Sequence, residues 1–298
     1  MKMKVGFIGL GIMGAPMAEK LLAGGHTLYA HTRHEVPATL LQQGAIACRD
    51  PQQVADEADV IFIMVPDTPQ VEEVLFGERG CAAGKLNGKV VVDMSSISPL
   101  ETKAFAQRIN QLGAQYLDAP VSGGAAKAEE GQMTVMAAGA DATFERLQPV
   151  LNAIAGKVYR IGETIGLGAT VKIIHQLLAG VHIAAGAEAM ALAARAGIPL
   201  DVMYDVVTHA AGNSWMFENR MRHVVDGDYT PKSAVDIFVK DLGLVADTAR
   251  ALHFPLPLAS TAFTMFTAAS NAGYGKEDDS AVIKIFAGID LPQKKEAL

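Results

Sequence analysis

The sequence predicts two parts of different kind: a doubly wound α/β sheet over residues 1–163 and an all-helical domain over residues 164–298. Three observations predict it. Short apolar runs alternate with helical patterns through the first half. A glycine-rich turn separates the first run from the first helix. After about residue 169 the apolar runs give way to helical periodicity.

In chain order, the runs are 4–9 (KVGFIG), 27–31 (TLYAH), 59–65 (DVIFIMV), 89–94 (KVVVDM), 115–120 (QYLDAP), 134–139 (TVMAAG) and 157–162 (KVYRIG). Each is rich in β-branched or aromatic residues and ends in turn residues. They lack in/out alternation, so the strands are covered on both faces, as in a largely parallel sheet. Residues 16–23 and 100–112 read as crossover helices. In the second half, helices are expected over 169–196, 200–211, 215–226, 234–252 and 257–272, with a short one after Asp278. Gly197-Ile198-Pro199, Gly212-Asn213 and Phe254-Pro255 mark the stops. The first of these helices, at ~28 residues, would be ~42 Å long and reach from one part to the other. Its Gly180, Ala184, Ala185, Gly186 and Ala187 permit close approach by another helix, in this chain or from a second subunit. Its apolar stretch 177–194 carries His182 and Glu188, which favours a packed core helix over a membrane span. The tail DLPQKKEAL reads as frayed.

Composition narrows the function classes. The chain has 298 residues, 50% hydrophobic and 19% charged, as in globular proteins with a substantial core. A net charge of −7 without a Lys/Arg run gives no electrostatic footing for nucleic acid. Cys48 and Cys81 lack metal-ligand spacing and are too few for a disulfide framework, so no metal and a reducing cytoplasm are expected. The glycine-broken N-terminus reads as mature structure rather than a signal peptide.

The turn Gly9-Leu10-Gly11-Ile12-Met13-Gly14 lies between a strand and a helix, the context a dinucleotide fingerprint requires. The first glycine allows the tight turn, the second admits a pyrophosphate, and the third lets helix and strand approach. That identifies the sheet as Rossmann-type. An NAD site usually carries Asp or Glu at the end of the second strand, for the ribose 2′-hydroxyl. Here that stretch is Tyr29-Ala30-His31-Thr32-Arg33-His34, with no acid before Glu35. Arg33 is either the contact for a 2′-phosphate or a solvated loop residue. His31, Thr32 and Arg33, with Val65 and Pro66 after the third run, complete the candidate cofactor contacts.

Two further clusters carry chemistry. Asp118-Ala119-Pro120-Val121-Ser122-Gly123-Gly124 ends a strand, and its Ser-Gly-Gly turn could aim backbone N–H groups at a carboxylate. A plain turn fits equally well. Lys172, His175 and Gln176 stand at i, i+3 and i+4 on one helix face, after a Gly-x-Gly entry. Lysines and histidines in such positions commonly snorkel or sit satisfied in a core. This pair falls at the expected domain junction, where clefts form. Hydride transfer from a secondary alcohol needs a group to take the hydroxyl proton, and a lysine of lowered pKa does this. Asn213 and Ser214 could bind hydroxyls, or could cap the helix that begins at Trp215.

Together GFIGLGIMGAPMA, DAPVSGG, GLGATVKIIHQ and VKDLGLVAD resemble, in order and spacing, the four signatures of the β-hydroxyacid dehydrogenases related to 3-hydroxyisobutyrate dehydrogenase. The resemblance implies Lys172 as general acid/base and Ser122, Gly123 and Gly124 as the carboxylate site. It implies Ser96 beside the nicotinamide and Lys240 reaching the cofactor or substrate. The family's usual residue three after the lysine is Asn. His175 stands there instead, which favours a polyhydroxylated acid, with a C4 sugar acid oxidised at C2 as the leading expectation. Reduction of 2-hydroxy-3-oxopropionate or oxidation of 3-hydroxyisobutyrate would use the same site, and a non-catalytic dinucleotide sensor would need only the first glycine turn. The expected cofactor is NAD, with NADP open. The expected assembly is a homodimer or homotetramer.

Overall fold

The computed structural model describes residues 2–294; part of the tail read as frayed, residues 295–298, lies outside the described residues. The chain divides into two compact units, Met1–Lys172 and Ile173–Leu298.

The first unit runs β1 (Lys4–Ile8), α1 (Gly14–Ala23), β2 (Thr27–His31), α2 (Ala38–Gln42), β3 (Ile46–Ala47), α3 (Pro51–Glu57), β4 (Val60–Ile63) and α4 (Thr68–Phe76). It continues with β5 (Val90–Asp93), α5 (Pro99–Gln111), β6 (Gln115–Asp118), β7 (Val121–Ser122), α6 (Gly124–Glu130), β8 (Met133–Ala138), α7 (Asp141–Ile154) and β9 (Ala155–Gly162). The strand order is β3-β2-β1-β4-β5-β6-β8-β7, with β9 on β8. The first six strands pair in parallel, β8 runs antiparallel to β6, and β9 runs parallel to β8. The order 3-2-1-4-5-6 is that of the doubly wound dinucleotide folds, in which ligands meet the carboxyl edge of the strands where the order reverses.

The two-sided burial expected from the apolar runs holds for β1, β4, β5 and β6, whereas β2 alternates and β9, on the far side of β8, is largely exposed. Val5, Phe7, Val90 and Val92 belong to one core cluster, and Ile8, Ile61, Ile63 and Val91 to the other. The Phe7 and Phe62 rings stack with centroids 6.0 Å apart. Helix starts follow local chemistry. The Asp50, Asp67 and Ser98 side chains accept from the N–H of Gln53, Gln70 and Glu101, each cap being followed by proline in the first turn of α3, α4 or α5. Strands β3 and β7, two residues each, were not expected, because two residues carry no periodicity.

The second unit is helical: most of α8 (Leu167–Arg195), then α9 (Leu200–Thr208), α10 (Trp215–Asp226), α11 (Val235–Ala251), α12 (Pro257–Ala269) and a 3₁₀ segment, Asp279–Ile285. Its β pairing among the described residues is an isolated antiparallel bridge, Ala234 with Asp278. A Cβ at Gly180 would lie 3.1 Å from Phe238 and Leu242, and one at Gly186 would lie 3.0 Å from Phe217. The glycines of α8 thus admit α11 and α10 of the same chain. Phe238 and Phe266 stack at 5.1 Å within this core. Buried ion pairs, Arg220 to Asp279 at 2.7 Å and His223 to Asp278 at 2.9 Å, anchor the 3₁₀ segment to α10. Among the described residues α8 alone is long and apolar enough to cross a membrane, and 50% of its most apolar window is buried in the protein, as in the core helix of a soluble protein.

Candidate active site

The turn after β1 separates the roles of its three glycines. Gly9 has φ +100°, and a Cβ there would strike the Met64 carbonyl oxygen at the end of β4. A Cβ at Gly14 would strike the Gly9 carbonyl oxygen and lie 3.2 Å from Phe7. Both glycines are demanded by the protein's own packing. Gly11 is different: an added Cβ meets nothing within 4 Å. Its open side is a cradle that fits a diphosphate brought against the backbone. Ile12, beside it, is 64% exposed, whereas Leu10 is buried. Helix α1 has Met13 as N-cap with no side-chain acceptor, and no acid in its first turn. Its amino end therefore favours an anion.

The other candidate cofactor residues of the first unit follow the carboxyl ends of its strands. His31 ends β2; its Nδ1 bonds the Cys48 carbonyl at 3.0 Å. Thr32 and Arg33 follow, and the Arg33 guanidinium donates to Glu73 Oε2 of α4 at 2.9 Å. Val65 and Pro66 follow β4, and the Val65 N–H donates to Ser95 Oγ at 3.0 Å. Ser95 in turn donates its N–H to Asp93 Oδ1 at 2.9 Å, and the Tyr116 hydroxyl donates to Asp93 Oδ2 at 2.7 Å. This buried chain fixes the loops after β4 and β5, and with them half-buried Ser96. Burial pushes the Asp93 carboxyl up to about 6, against the pull of the Tyr116 and Ser95 donors.

At the end of β6 lies the feature that sequence reasoning missed. Asp118 Oδ2 accepts the N–H of Gly166 and of Ala169, each at 3.0 Å. A buried carboxylate thus caps α8 from another element of the unit, two of the helix's otherwise unpaired N–H groups being satisfied by one oxygen. Burial raises this carboxyl to about 7, with further upward push from Asp93 and opposition from the Ala169, Gly166 and Gly168 amides. The Gly-x-Gly entry has two packing reasons. Gly166 adopts φ +95°, and a Cβ at Gly168 would lie 2.8 Å from the Asp118 carbonyl oxygen. The capped start carries Lys172 in the second turn, with only 6% of its surface exposed. From the same strand end, β7 leads into Ser122, then Gly123 and Gly124 with φ +136° and +68°. A Cβ at Gly124 meets nothing within 4 Å, so this turn also keeps an open side.

Further along, each remaining candidate has a defined place. His175 is exposed on α8, one turn beyond Lys172. Gln176 donates to Asp241 Oδ2 at 2.6 Å, and Lys240 pairs with Asp241 Oδ1 at 2.9 Å. The lysine of the VKDLG motif is therefore tied through Asp241 to the helix of the GLGATVKIIHQ motif. Ser214 Oγ accepts the Phe217 N–H at 3.0 Å and caps α10, the structural alternative raised from sequence. Asn213 donates to Glu218 Oε2 at 3.1 Å. Among the described residues no group of three or more His, Cys, Asp or Glu could hold a metal ion.

Comparison with known proteins bears on both units. The family described as the NAD binding domain of 6-phosphogluconate dehydrogenase matches residues 4–162. The NAD-binding domain of NADP-dependent 3-hydroxyisobutyrate dehydrogenase matches residues 166–286. The L-threonate dehydrogenase of Pectobacterium atrosepticum is 66% identical over 295 residues, covering 98% of this chain and 97% of its own length. The 2-hydroxy-3-oxopropionate reductase of Escherichia coli K12 is 41% identical, covering 95% and 96%. A crystal structure described as 3-hydroxyisobutyrate dehydrogenase from Salmonella typhimurium is 62% identical, with a TM-score of 0.88 over 95% of this chain and 99% of that one.

The contrast between the glycines gives a two-part prediction. Gly14→Ala should lower the unfolding temperature by several degrees, because a methyl group must displace backbone. Gly11→Ala should leave that temperature unchanged while weakening dinucleotide binding about tenfold or more, read by calorimetric titration. Equal binding by Gly11→Ala and the unaltered protein would show that the cradle holds no diphosphate.

Proposed function

Because the chain belongs to the β-hydroxyacid dehydrogenase family and is an NAD(P)-dependent hydroxyacid dehydrogenase, we propose that it oxidises L-threonate at C2 to 2-dehydro-L-erythronate, with NAD as cofactor. The observation that carries the reading is a buried amine, Lys172, on a helix start capped by the strand that leads into the open Ser122–Gly124 turn. The name of the 66% identical relative supports the choice of substrate.

The nicotinamide of the bound cofactor supplies the acceptor for the hydride that leaves C2. The Gly9–Gly14 turn and the α1 amino end would hold the diphosphate, with His31, Thr32, Arg33, Val65, Pro66 and Ser96 as further cofactor contacts of the first unit, and Lys240 keeps the cofactor role that the family resemblance implies. The Ser122–Gly124 turn receives the substrate carboxylate through its hydroxyl and backbone N–H groups. Lys172 Nζ takes the C2 hydroxyl proton as the C2–H electron pair departs, leaving a ketone and an ammonium. In the reverse direction the same ammonium donates to the nascent alkoxide. His175, one turn on along α8, offers an imidazole to a second substrate hydroxyl, a contact that a simple hydroxy acid would leave unused. Asn213 and Ser214 add hydrogen-bonding capacity for a polyhydroxylated acid only where their helix-capping bonds leave it. The cation after β2, Arg33, is already engaged by Glu73 at 2.9 Å, which supports NAD over NADP.

We place the reaction in the cytoplasm, on the ground that both cysteines are free and buried. The working unit is a homodimer or homotetramer. Ile174, Leu178 and Leu192 are 56%, 51% and 69% exposed, and their spacing puts them on one side of α8. Light scattering should return two or four times 31.4 kDa; a monomer mass would contradict the assembly.

Lys172→Ala should lower kcat with L-threonate by about 10²–10⁴ while dinucleotide affinity survives. Unaltered turnover in that variant would end the lysine's assignment. In the same assay, faster turnover of 3-hydroxyisobutyrate or 2-hydroxy-3-oxopropionate than of L-threonate would displace the proposed substrate.

A further inference from the structure

We propose that Glu73 is the residue that makes this site choose NAD over NADP, acting through Arg33 from a different helix. The inference rests on the cofactor clause of the proposed function and names the group responsible for it.

Dinucleotide sites of this fold usually discriminate at the end of β2. A carboxylate there accepts from the ribose 2′-hydroxyl, whereas an arginine there receives a 2′-phosphate. This chain has the arginine and lacks the acid: the residues after β2 are Thr32, Arg33 and His34. By that rule alone it would take NADP. The structure supplies an acid from elsewhere. Glu73 lies on α4, the helix after β4, 40 residues along the chain, and its Oε2 accepts from Arg33 Nη2 at 2.9 Å. The next residue, Glu72, pairs instead with Arg108 at 3.1 Å, so the guanidinium of Arg33 and the carboxylate of Glu73 are each other's partner here.

The consequence is electrostatic. A 2′-phosphate approaching Arg33 would meet a carboxylate within one hydrogen-bond length of the same guanidinium. It would have to break that pair and then bear the repulsion between two anions. Like charges brought together at an interface discriminate strongly against the wrong partner. A ribose diol carries no such charge and meets no such repulsion. Glu73 therefore restores, from α4, the discrimination that β2 lacks.

The same pair contributes little to the fold. Its side chains are 61% and 70% exposed, and exposed ion pairs are worth little to stability. Substitution therefore reports on the ligand rather than on folding.

The test reads binding directly, by fluorescence titration of the full chain with NADH and NADPH, so it does not depend on which hydroxy acid is the substrate. The unaltered protein should bind NADH at least about tenfold tighter than NADPH, and Glu73→Gln should narrow that gap about tenfold by tightening NADPH. NADH affinity and unfolding temperature should stay within about twofold and a degree of the original, as expected for an exposed site. Adding Arg33→Ala to Glu73→Gln should abolish the gain. NADPH affinity unchanged in Glu73→Gln, with NADH still preferred by the unaltered protein, would overturn the role of Glu73 alone. A gain that survives loss of Arg33 would overturn the coupling. Preference of the unaltered protein for NADPH would overturn this inference together with the cofactor clause, while leaving the lysine chemistry and the substrate to their own assays.

Discussion

One buried carboxylate, Asp118, holds the chemistry of this chain in place. It ends β6, and it accepts the amides of Gly166 and Ala169 at the start of α8, 3.0 Å each. The Ser122–Gly124 turn and the helix bearing Lys172 are thereby referred to the same strand end. Leaving either amide without its acceptor costs about 1–3 kcal/mol, the penalty of an unsatisfied buried donor. More important for function is geometry, since a proton-transfer group must lie within hydrogen-bond reach of its substrate. A helix free to slide on the sheet would not keep it there.

Around that anchor the carboxyl edge of the sheet is built by two kinds of glycine. Gly9, Gly14 and Gly168 are where they are because protein atoms leave no room for a side chain. Gly11 and Gly124 face open space. The first kind is required by packing, and the second leaves room beside the backbone. The loops after β4 and β5 are tied by Val65, Ser95, Asp93 and Tyr116, a buried chain that fixes the edge between these two kinds of turn. Rigid strands and bonded loops keep the site's form independent of what fills it, which is what orientation-dependent chemistry requires.

Much of this was legible in the sequence. Continuous apolar runs marked the central parallel strands β1, β4 and β5 because both faces of these are buried; β9, a similar run, is largely exposed. The stops at Gly197-Ile198-Pro199 and Phe254-Pro255 bound their helices because glycine and proline act locally. Helix α10 begins and ends as expected, at Trp215 and Asp226, since the Ser214 hydroxyl caps it. What was not legible depends on contacts across the sequence. Asp118 reads as a strand residue until its partners, 48 and 51 residues away, are known. Glu73 reads as a helix-surface acid, and only its distance from Arg33 gives it a role. The missing acid after β2 was visible; the carboxylate that α4 brings to Arg33 was not. Likewise the small residues of α8 announced a close neighbour without saying that Phe217, Phe238 and Leu242 of the same chain supply it.

In the proposed reaction a hydride leaves C2 of a sugar acid while a lysine removes the hydroxyl proton. The most direct measurement uses L-threonate deuterated at C2, with mass analysis of the reduced dinucleotide after turnover in ordinary water. The account predicts one deuterium in each reduced cofactor and none released to solvent. Reduced cofactor formed without the label, or label lost to water, would contradict it.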